Sequence, residues 1–347
     1  MTSTPAKPTN SFIVVNWNGA SFLRDCIDAI LRQSHGPFEI IVVDNGSTDD
    51  SVTLVRETYP QVVLVSLDRN QGFTGGNIEG FRHAQGRYIA LINNDAILPA
   101  DWLQLMVDAL QSEEAIGLCS SRIIIAGTNL IDSAGDTFTT AFTGTKIGEL
   151  HDKTDFSKRR YIPGACAAAA IYKREMLEDI GFLDADFFLN HEDTDLNLRA
   201  WLAGWKCLYV PEATVEHRVS TTIGKLSETS VYYFSRNSLW VWIKNTPTYF
   251  LFRYLHHRIL YEMASFAFFC LIAHRWRPFL RGKFHSLKGL PHMLHKRKEI
   301  QKKIRLTRAE IRQGLTPLSA YLRERFVLLR RKQTFPSSEP DGTRIDS

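Results

Sequence analysis

The sequence predicts an α/β domain with a mostly parallel central sheet, followed by a basic and aromatic helical region. Three observations carry this. Short continuous apolar runs alternate with helical patterns from residue 12 onward, which is the mark of βαβ units whose strands are covered on both faces. Polar residues collect where the runs end, at Asn16, Asp44, Asn93 and Asp95. In open α/β sheets ligands bind outside the carboxyl ends of the strands. Finally, a net charge of +5 hides a division: residues 231–335 carry 22 Lys and Arg against 4 Asp and Glu, and the remainder 20 against 33. An acidic body is thus joined to a strongly basic tail piece, and such asymmetry points to an anionic partner.

The elements follow in order. Residues 1–10 read as a disordered Pro/Thr/Lys-rich leader. Phe12–Val15 is the first strand, ending in Asn16, and Phe22, Leu23, Cys26, Ile27, Ile30 and Leu31 repeat at helical spacing. Glu39–Val43 is the second strand, ending at Asp44-Asn45-Gly46-Ser47. A helix starts near Asp49-Asp50, acids suited to a helix N-terminus. Val62–Leu67, helix Thr74–Ala84, strand Tyr88–Ile92 and helix 101–111 continue the alternation. Beyond residue 115 it loosens. Leu118–Ile125 reads as a strand, 126–160 as polar loop, and Pro163–Ala170 as a small-residue strand. His191-Glu192-Asp193 opens a helix stopped by Gly204. Trp205–Val210 and Val215–His217 read as two further strands.

With 347 residues, 44% hydrophobic, the chain affords one large α/β domain plus an appendage, or two modest domains. Five scattered cysteines without a C-x-x-C pair argue against a disulfide framework and for a reducing compartment. The polar N-terminus lacks an apolar signal region, which places the catalytic part in the cytosol as an expectation. No P-loop, G-x-G-x-x-G, G-x-S-x-G, H-E-x-x-H or Cys/His zinc spacing occurs.

Three acidic constellations carry the chemistry. Asp44 can accept hydrogen bonds from a base or ribose, although an Asx-turn explains it equally well. Asp95, closing Asn93-Asn94-Asp95, is an oxygen donor of the kind that holds Mg²⁺ or Mn²⁺ against a diphosphate, although Asp also caps helices. Asp193, in a first helical turn, can deprotonate an attacking hydroxyl, although acids favour that position anyway.

Taken together and in this order, these segments resemble the inverting family 2 glycosyltransferases of the GT-A fold, and within them the rhamnosyltransferase-like branch. The resemblance runs from about Phe12 to Gly224. It is carried by Val14-Val15-Asn16-Trp17-Asn18, Ile41–Asp49, Asn70-Gln71-Gly72-Phe73 with Gly75-Gly76-Asn77, Leu91–Asp95, Gly164-Ala165-Cys166, His191–Leu196, and Pro211-Glu212-Ala213 leading to His217. The resemblance implies that Asp44 reads the base and that Asn16, Asn77, Asn93 and Asn94 line the nucleotide-sugar pocket. It implies Asp95 as the retained metal ligand, with His217 completing the metal shell. Asn93 stands where many relatives have a first Asp, and its weaker ligation lowers metal affinity. Asp193 is the expected general base, with His191, Glu192 and Gly164 beside the acceptor. Asp195 and Arg199, one turn apart, form a structural ion pair of modest effect if exposed.

The implied reaction moves a sugar from a nucleotide diphospho-sugar to a glycan or lipid-linked saccharide acceptor. dTDP-L-rhamnose is favoured as donor by resemblance, and UDP-hexoses and UDP-galactofuranose stand as alternatives. So does a catalytically inactive nucleotide-sugar binding protein, against which the joint presence of Asp44, Asp95 and Asp193 speaks. The expected domains are 11–228 for catalysis, 229–333 as a helical basic membrane-associating region, and 334–347 as a disordered tail. For the basic region an anionic membrane surface is the favoured partner, since aromatics enrich at bilayer interfaces and basic side chains are drawn to anionic leaflets. That would hold the enzyme peripherally at the inner face of the plasma membrane. Oligomerisation is the second reading. Nucleic acid is the least favoured, because none of its usual recognition modules appears. Tyr232-Tyr233 with Arg236-Asn237 carries no role legible from the residues.

Overall fold

The computed structural model describes residues 8–218 and 226–334. Eight strands form the spine of the main sheet, in the order β10-β12-β6-β11-β4-β1-β2-β3. Its first half is β1 (Asn10–Asn16), β2 (Phe38–Asp44), β3 (Val63–Ser66) and β4 (Tyr88–Asn93), all parallel. The second half is mixed: β11 (Ala169–Lys173) runs antiparallel to β4 and to β6 (Ile116–Ile125), β12 (Lys206–His217) is parallel to β6, and β10 (Arg160–Ile162) closes the edge. Two short strands sit off this path, β5 (Ala96–Ile97) on β12 and β7 (Ile131–Ser133) on β6.

Alternate strand residues feed two cores. Phe12, Val14 and Val42 pack against α1 (Ala20–Leu31), α2 (Ser51–Thr58) and α4 (Trp102–Gln111) on one face. Ile13, Val43 and Leu91 meet α5 (Arg174–Ile180) and α6 (Glu192–Leu202) on the other. The glycine-rich α3 (Gly72–His83) also covers that face. It lies so close to β1 that a Cβ on Gly76 would come 2.6 Å from Val15 Cγ1. Burial on both faces explains why these strands read as unbroken apolar runs.

The α/β class, the mostly parallel sheet and the C-terminal helices agree with the sequence reading, and four local expectations change. Asn10 already belongs to β1, so the leader is shorter than 1–10, and residues 1–7 lie outside the described residues. The small-residue stretch 163–170 becomes strand only at Ala169, after a turn in which Ala169 N–H donates to the Cys166 carbonyl. The two strands expected at 205–210 and 215–217 are one, β12. A register shift between Val210 and Thr214 absorbs Pro211, which has no N–H to give to the ladder. The polar segment 126–160 is not plain loop. It holds β7, β8 (Asp136–Thr139), β9 (Gly144–Lys146) and a 3₁₀ turn at Lys153–Phe156.

The C-terminal helices are α7 (Glu228–Asn245), α8 (Thr248–Arg253), α9 (Leu255–Phe266), α10 (Trp276–Lys288), α11 (Leu290–Lys302), α12 (Arg308–Gly314) and α13 (Leu318–Thr334), with a π-helical turn at Ala267–Ile272. They are laced to the body. β13 (Leu315–Thr316) pairs with β8 in a three-stranded sheet with β9. Trp240, Trp242 and Phe250 share a core with Phe138, Phe142 and Leu198. The expected disordered tail at 334–347 falls almost wholly on 335–347, outside the described residues. Among the described residues no helix is long and apolar enough to cross a membrane.

Candidate active site

The parallel register sets the first half of the site. Asn16 lies opposite Asp44, and Val15 opposite Asn93, so the polar ends of β1, β2 and β4 form one edge. The Asn16 amide stands at its centre. Its Nδ2 donates to Asp44 Oδ1 and to Ser47 Oγ, each at 3.4 Å, and its Oδ1 accepts from Asn94 Nδ2 at 2.7 Å. Asp44 Oδ2 accepts the Ser47 N–H at 3.0 Å, so the Asx-turn is real and coexists with the Asn16 contact. Gly19 makes room for this lattice: a Cβ there would lie 2.2 Å from Asn94 Nδ2 and 2.6 Å from Asn16 Oδ1. Asn77 does not join it. Its Nδ2 donates at 2.8 Å to the Phe73 carbonyl of its own helix.

Asp95 follows directly. Its Oδ1 is 3.2 Å from His217 Nε2, and Asn93 Nδ2 is also 3.2 Å from that nitrogen. The other ring nitrogen, Nδ1, is 3.0 Å from Asp132 Oδ2, and Asp132 Oδ1 accepts from Lys146 Nζ at 2.5 Å. Burial opposes charge on His217, but the hydrogen bonds and charges of Asp132 and Asp95 outweigh it and raise the imidazole to about 9. Burial likewise works against the Asp132 carboxylate, and Lys146 and His217 overcome it, holding the group well below the usual range. Asp132 and Lys146 were invisible in the sequence reading, because they sit on three-residue strands inside the segment taken for loop.

Among the described residues no three His, Cys, Asp or Glu side chains stand as a ready metal cage. The pair Asp95 and His217 nevertheless fits a divalent cation. It offers a hard oxygen and an imidazole nitrogen on the same spot, and Asp132 on the far ring nitrogen is the outer carboxylate that orients a ligating histidine. The imidazole must give up its proton to ligate.

The other side of the site is the start of α6. Asn190 and His191 both have positive φ, 64° and 70°, and turn the chain into the helix. The unexplained aromatic motif holds this turn. Asn237 Nδ2 donates to the Leu189 and Asn190 carbonyls at 2.9 and 2.8 Å, Arg236 Nη2 reaches the Asp186 carbonyl at 2.7 Å, and Tyr233 stacks on Phe188 with centroids 4.8 Å apart. Asp193 Oδ1 accepts the Thr194 N–H at 2.6 Å. Its carboxyl is raised above the ordinary value, chiefly by burial, although the Thr194 hydrogen bonds and the Lys146 charge pull it down.

Two further acids stand in the field of Asp193. Glu192 and Asp136 are each raised to about 8, first by burial and then by the charge of Asp193. Glu192 Oε2 and His191 Nε2 are buried without a hydrogen-bond partner. Burial, and then the positive Arg258 and Lys283, push His191 down to about 3, which keeps it neutral. Gly164 is fixed beside them by a two-way backbone bridge with Asp136, at 2.8 and 3.1 Å. Asp136, like Asp132, came from the segment read as loop.

Asp195 and Arg199 are paired at 2.9 Å as the spacing predicted, but the pair is fully buried rather than exposed. Lys244 and Asn245 of α7 both contact Asp195 at 2.8 Å, so this acid anchors the C-terminal helices to α6 and is no part of the reactive edge.

A polar line therefore runs from Asp44 through Asn16 to Asn94, then from Asp95 through His217 and Asp132 to Lys146, whose charge acts on Asp193 and Asp136. Residues 11–181 match the family model described as Glycosyl transferase family 2. This segment is a glycosyltransferase family 2 domain. Asp44, Asp95, Asp132, Asp136 and Lys146 lie within it, and Asp193 and His217 beyond it.

Related chains agree. An uncharacterized glycosyltransferase of Nostoc sp. is 34% identical over 50% of this chain and 53% of its own length. The uncharacterized glycosyltransferase YwdF of Bacillus subtilis is 25% identical over 60% and 74%. The chain thus spans about half the length of the first of these relatives. Among solved structures, S. aureus TarS 1-349 in complex with UDP is 16% identical with a TM-score of 0.54, over 88% of this chain and 92% of that one. GalNAc-T7 with UDP, GalNAc and Mn²⁺ is 15% identical with a TM-score of 0.54, over 67% and 48%. At these identities the likeness speaks for the glycosyltransferase fold, GT-A.

Proposed function

We propose that the chain is an inverting glycosyltransferase. It moves a sugar, with L-rhamnose from dTDP-L-rhamnose the favoured case, from a nucleotide diphospho-sugar to a glycan or lipid-linked saccharide in cell-surface polysaccharide assembly. The observation that carries this reading is the polar line just described. A base-reading carboxylate and a metal-binding Asp lie at strand ends of the family 2 segment, and the His217 imidazole and the proton-seeking Asp193 carboxyl join them from beyond it.

In this mechanism Asp44 and Asn16 hold the nucleotide, with Asn94 fixing Asn16. Asp95 and His217 would hold Mg²⁺ or Mn²⁺, which when bound neutralises charge on the leaving diphosphate. The Mn²⁺ carried by the similar GalNAc-T7 structure supports that choice. Asp193 takes the proton from the acceptor hydroxyl. The freed oxygen forms its bond to the anomeric carbon as the bond from that carbon to the diphosphate breaks, so configuration inverts and the nucleoside diphosphate leaves. Burial raises the proton affinity of Asp193, which suits a base. His191, Glu192 and Gly164 flank the acceptor, and the basic helices rest peripherally on the inner, anionic face of the plasma membrane.

Purified protein with Mg²⁺ or Mn²⁺ and a panel of dTDP-L-rhamnose, UDP-hexoses and UDP-galactofuranose, scored by nucleotide release, tests the proposal. One donor should turn over and a chelator should stop it. Binding of a donor with no release or transfer for any member of the panel would leave the inactive-binder reading in its place.

A further inference from the structure

The most unusual surface of the molecule is a helical hairpin distant in sequence from the site. α9, the π turn and α10 fold back on one another, clamped by the ion pair of Glu262 with Lys283 at 2.6 Å and by the contact of Phe266 with Phe279, centroids 6.3 Å apart. One face of the hairpin packs on α7 through Phe269, Phe279 and Ser286. The opposite face is apolar and bare. On α9, Leu255, Ile259, Met263 and Phe266 recur at helical spacing and are 44–63% exposed. On α10, Trp276, Leu280, Phe284 and Leu287 do the same at 45–65%. Leu271 and Ile272, at the tip, are 64% and 67% exposed. Monomeric proteins seldom leave so long an apolar strip in water.

Charge identifies what covers it. Arg275, Arg277, Arg281 and Lys288 are exposed around the strip. From residue 231 to 298 the sole acid is Glu262, which is spent on Lys283 and Arg258. A second copy docked face to face would set two such basic rims against each other, because a twofold interface pairs a patch with itself. An anionic leaflet matches both features: the rim meets headgroups and the strip enters the acyl boundary.

We propose that the hairpin 255–288 is a monotopic anchor that seats on an anionic bilayer, and that it presents the acceptor side of the site to lipid-borne saccharides. The second clause rests on Asp193 being the base. The link between hairpin and site is a chain of tilted ring contacts. Phe269 meets Phe234 at 5.3 Å, and Phe234 meets His191, two residues before Asp193, at 4.8 Å. These contacts tie the turn before Asp193 to the packed face of the hairpin, whose bare face the bilayer would cover.

Co-sedimentation of the full chain with phosphatidylcholine vesicles, with and without phosphatidylglycerol, tests this. Wild type should bind only the anionic vesicles. The Leu271→Asp/Ile272→Asp variant, whose side chains make no core contact, should bind about a hundredfold more weakly with an unchanged circular-dichroism melt. Its turnover on a short soluble saccharide should equal wild type, and on the same saccharide tethered to vesicle lipid it should fall by a similar factor. Wild type left in the supernatant, or a variant that sediments like wild type, overturns the anchor. A dimer by light scattering that the double substitution dissociates, without vesicle binding, assigns the face to a second copy and overturns it too. Equal loss on soluble and tethered saccharide overturns the presentation of the acceptor. Vesicle binding by a wild type that turns over no donor would defeat the transferase reading and leave the anchor standing.

Discussion

The two halves of the site are built on opposite electrostatic plans. At the ends of β1, β2 and β4 the polar side chains share hydrogen bonds: Asn16 donates to Asp44 and Ser47 and accepts from Asn94. Around the start of α6 the buried Asp136 of β8 and Glu192 stand with the partly exposed Asp193, all three raised in proton affinity, and Glu192 Oε2 is buried with no partner. A satisfied lattice is cheap to keep rigid and suits recognition of an uncharged base and ribose. Unsatisfied acids cost stability, and a fold retains them where protons have to move. Under the proposed function, the difference marks off a binding half from a proton-transferring half.

Four substitutions would break or sharpen that contrast. Asp193→Asn should have the largest effect, lowering transfer by about a thousandfold or more while donor affinity, read by calorimetry, stays nearly constant. A wild-type rate in that protein would remove Asp193 as base. Asp44→Ala acts on the other half and should do the reverse. Donor affinity should weaken by about 10- to 100-fold, the usual cost of losing a hydrogen bond to a charged group, with a smaller change in the rate at saturation.

Gly19→Ala should separate the Asn16–Asn94 pair by crowding the two amides directly. A loss of about 1–3 kcal/mol in denaturant unfolding is expected, as for overpacking beside a buried hydrogen bond. The smallest effect concerns pH. Glu192 binds its proton more tightly folded, near 8, than unfolded, near 4.5, so the folded state gains protons relative to the unfolded one between those values. Stability must then fall as pH rises from about 5 to 8. Glu192→Gln should flatten that slope in melts across the range, and an unaltered slope would show that Glu192 does not titrate there.

How far the sequence could be read follows the same division. β1 to β4 were legible to within a residue or two: β1, β2 and β4 because strands buried on both faces must be apolar throughout and end abruptly in polar residues, and the partly exposed edge strand β3 through its short apolar run. Asp44 and Asp95 stood out for that reason. Asp132, Asp136 and Lys146 did not. They lie on three- and four-residue strands in a polar stretch, too short to show any period, and Asp132 finds His217 85 residues further along the chain. The Asp195–Arg199 pair was visible from its spacing, but its burial was set by Lys244 and Asn245 on a helix that local pattern could not dock. The motif around Arg236 and Asn237 was visible as residues and silent as to purpose until its amide met the carbonyls of Leu189 and Asn190.

One small pairing couples these parts. Leu315 and Thr316 hydrogen-bond along β8, the strand that begins at Asp136. A chain cut short before that point would forfeit more than its last helix. The strand that begins at Asp136 would lose a neighbour, so trimming a remote end should register as slackness at Asp136 and the acids beside it.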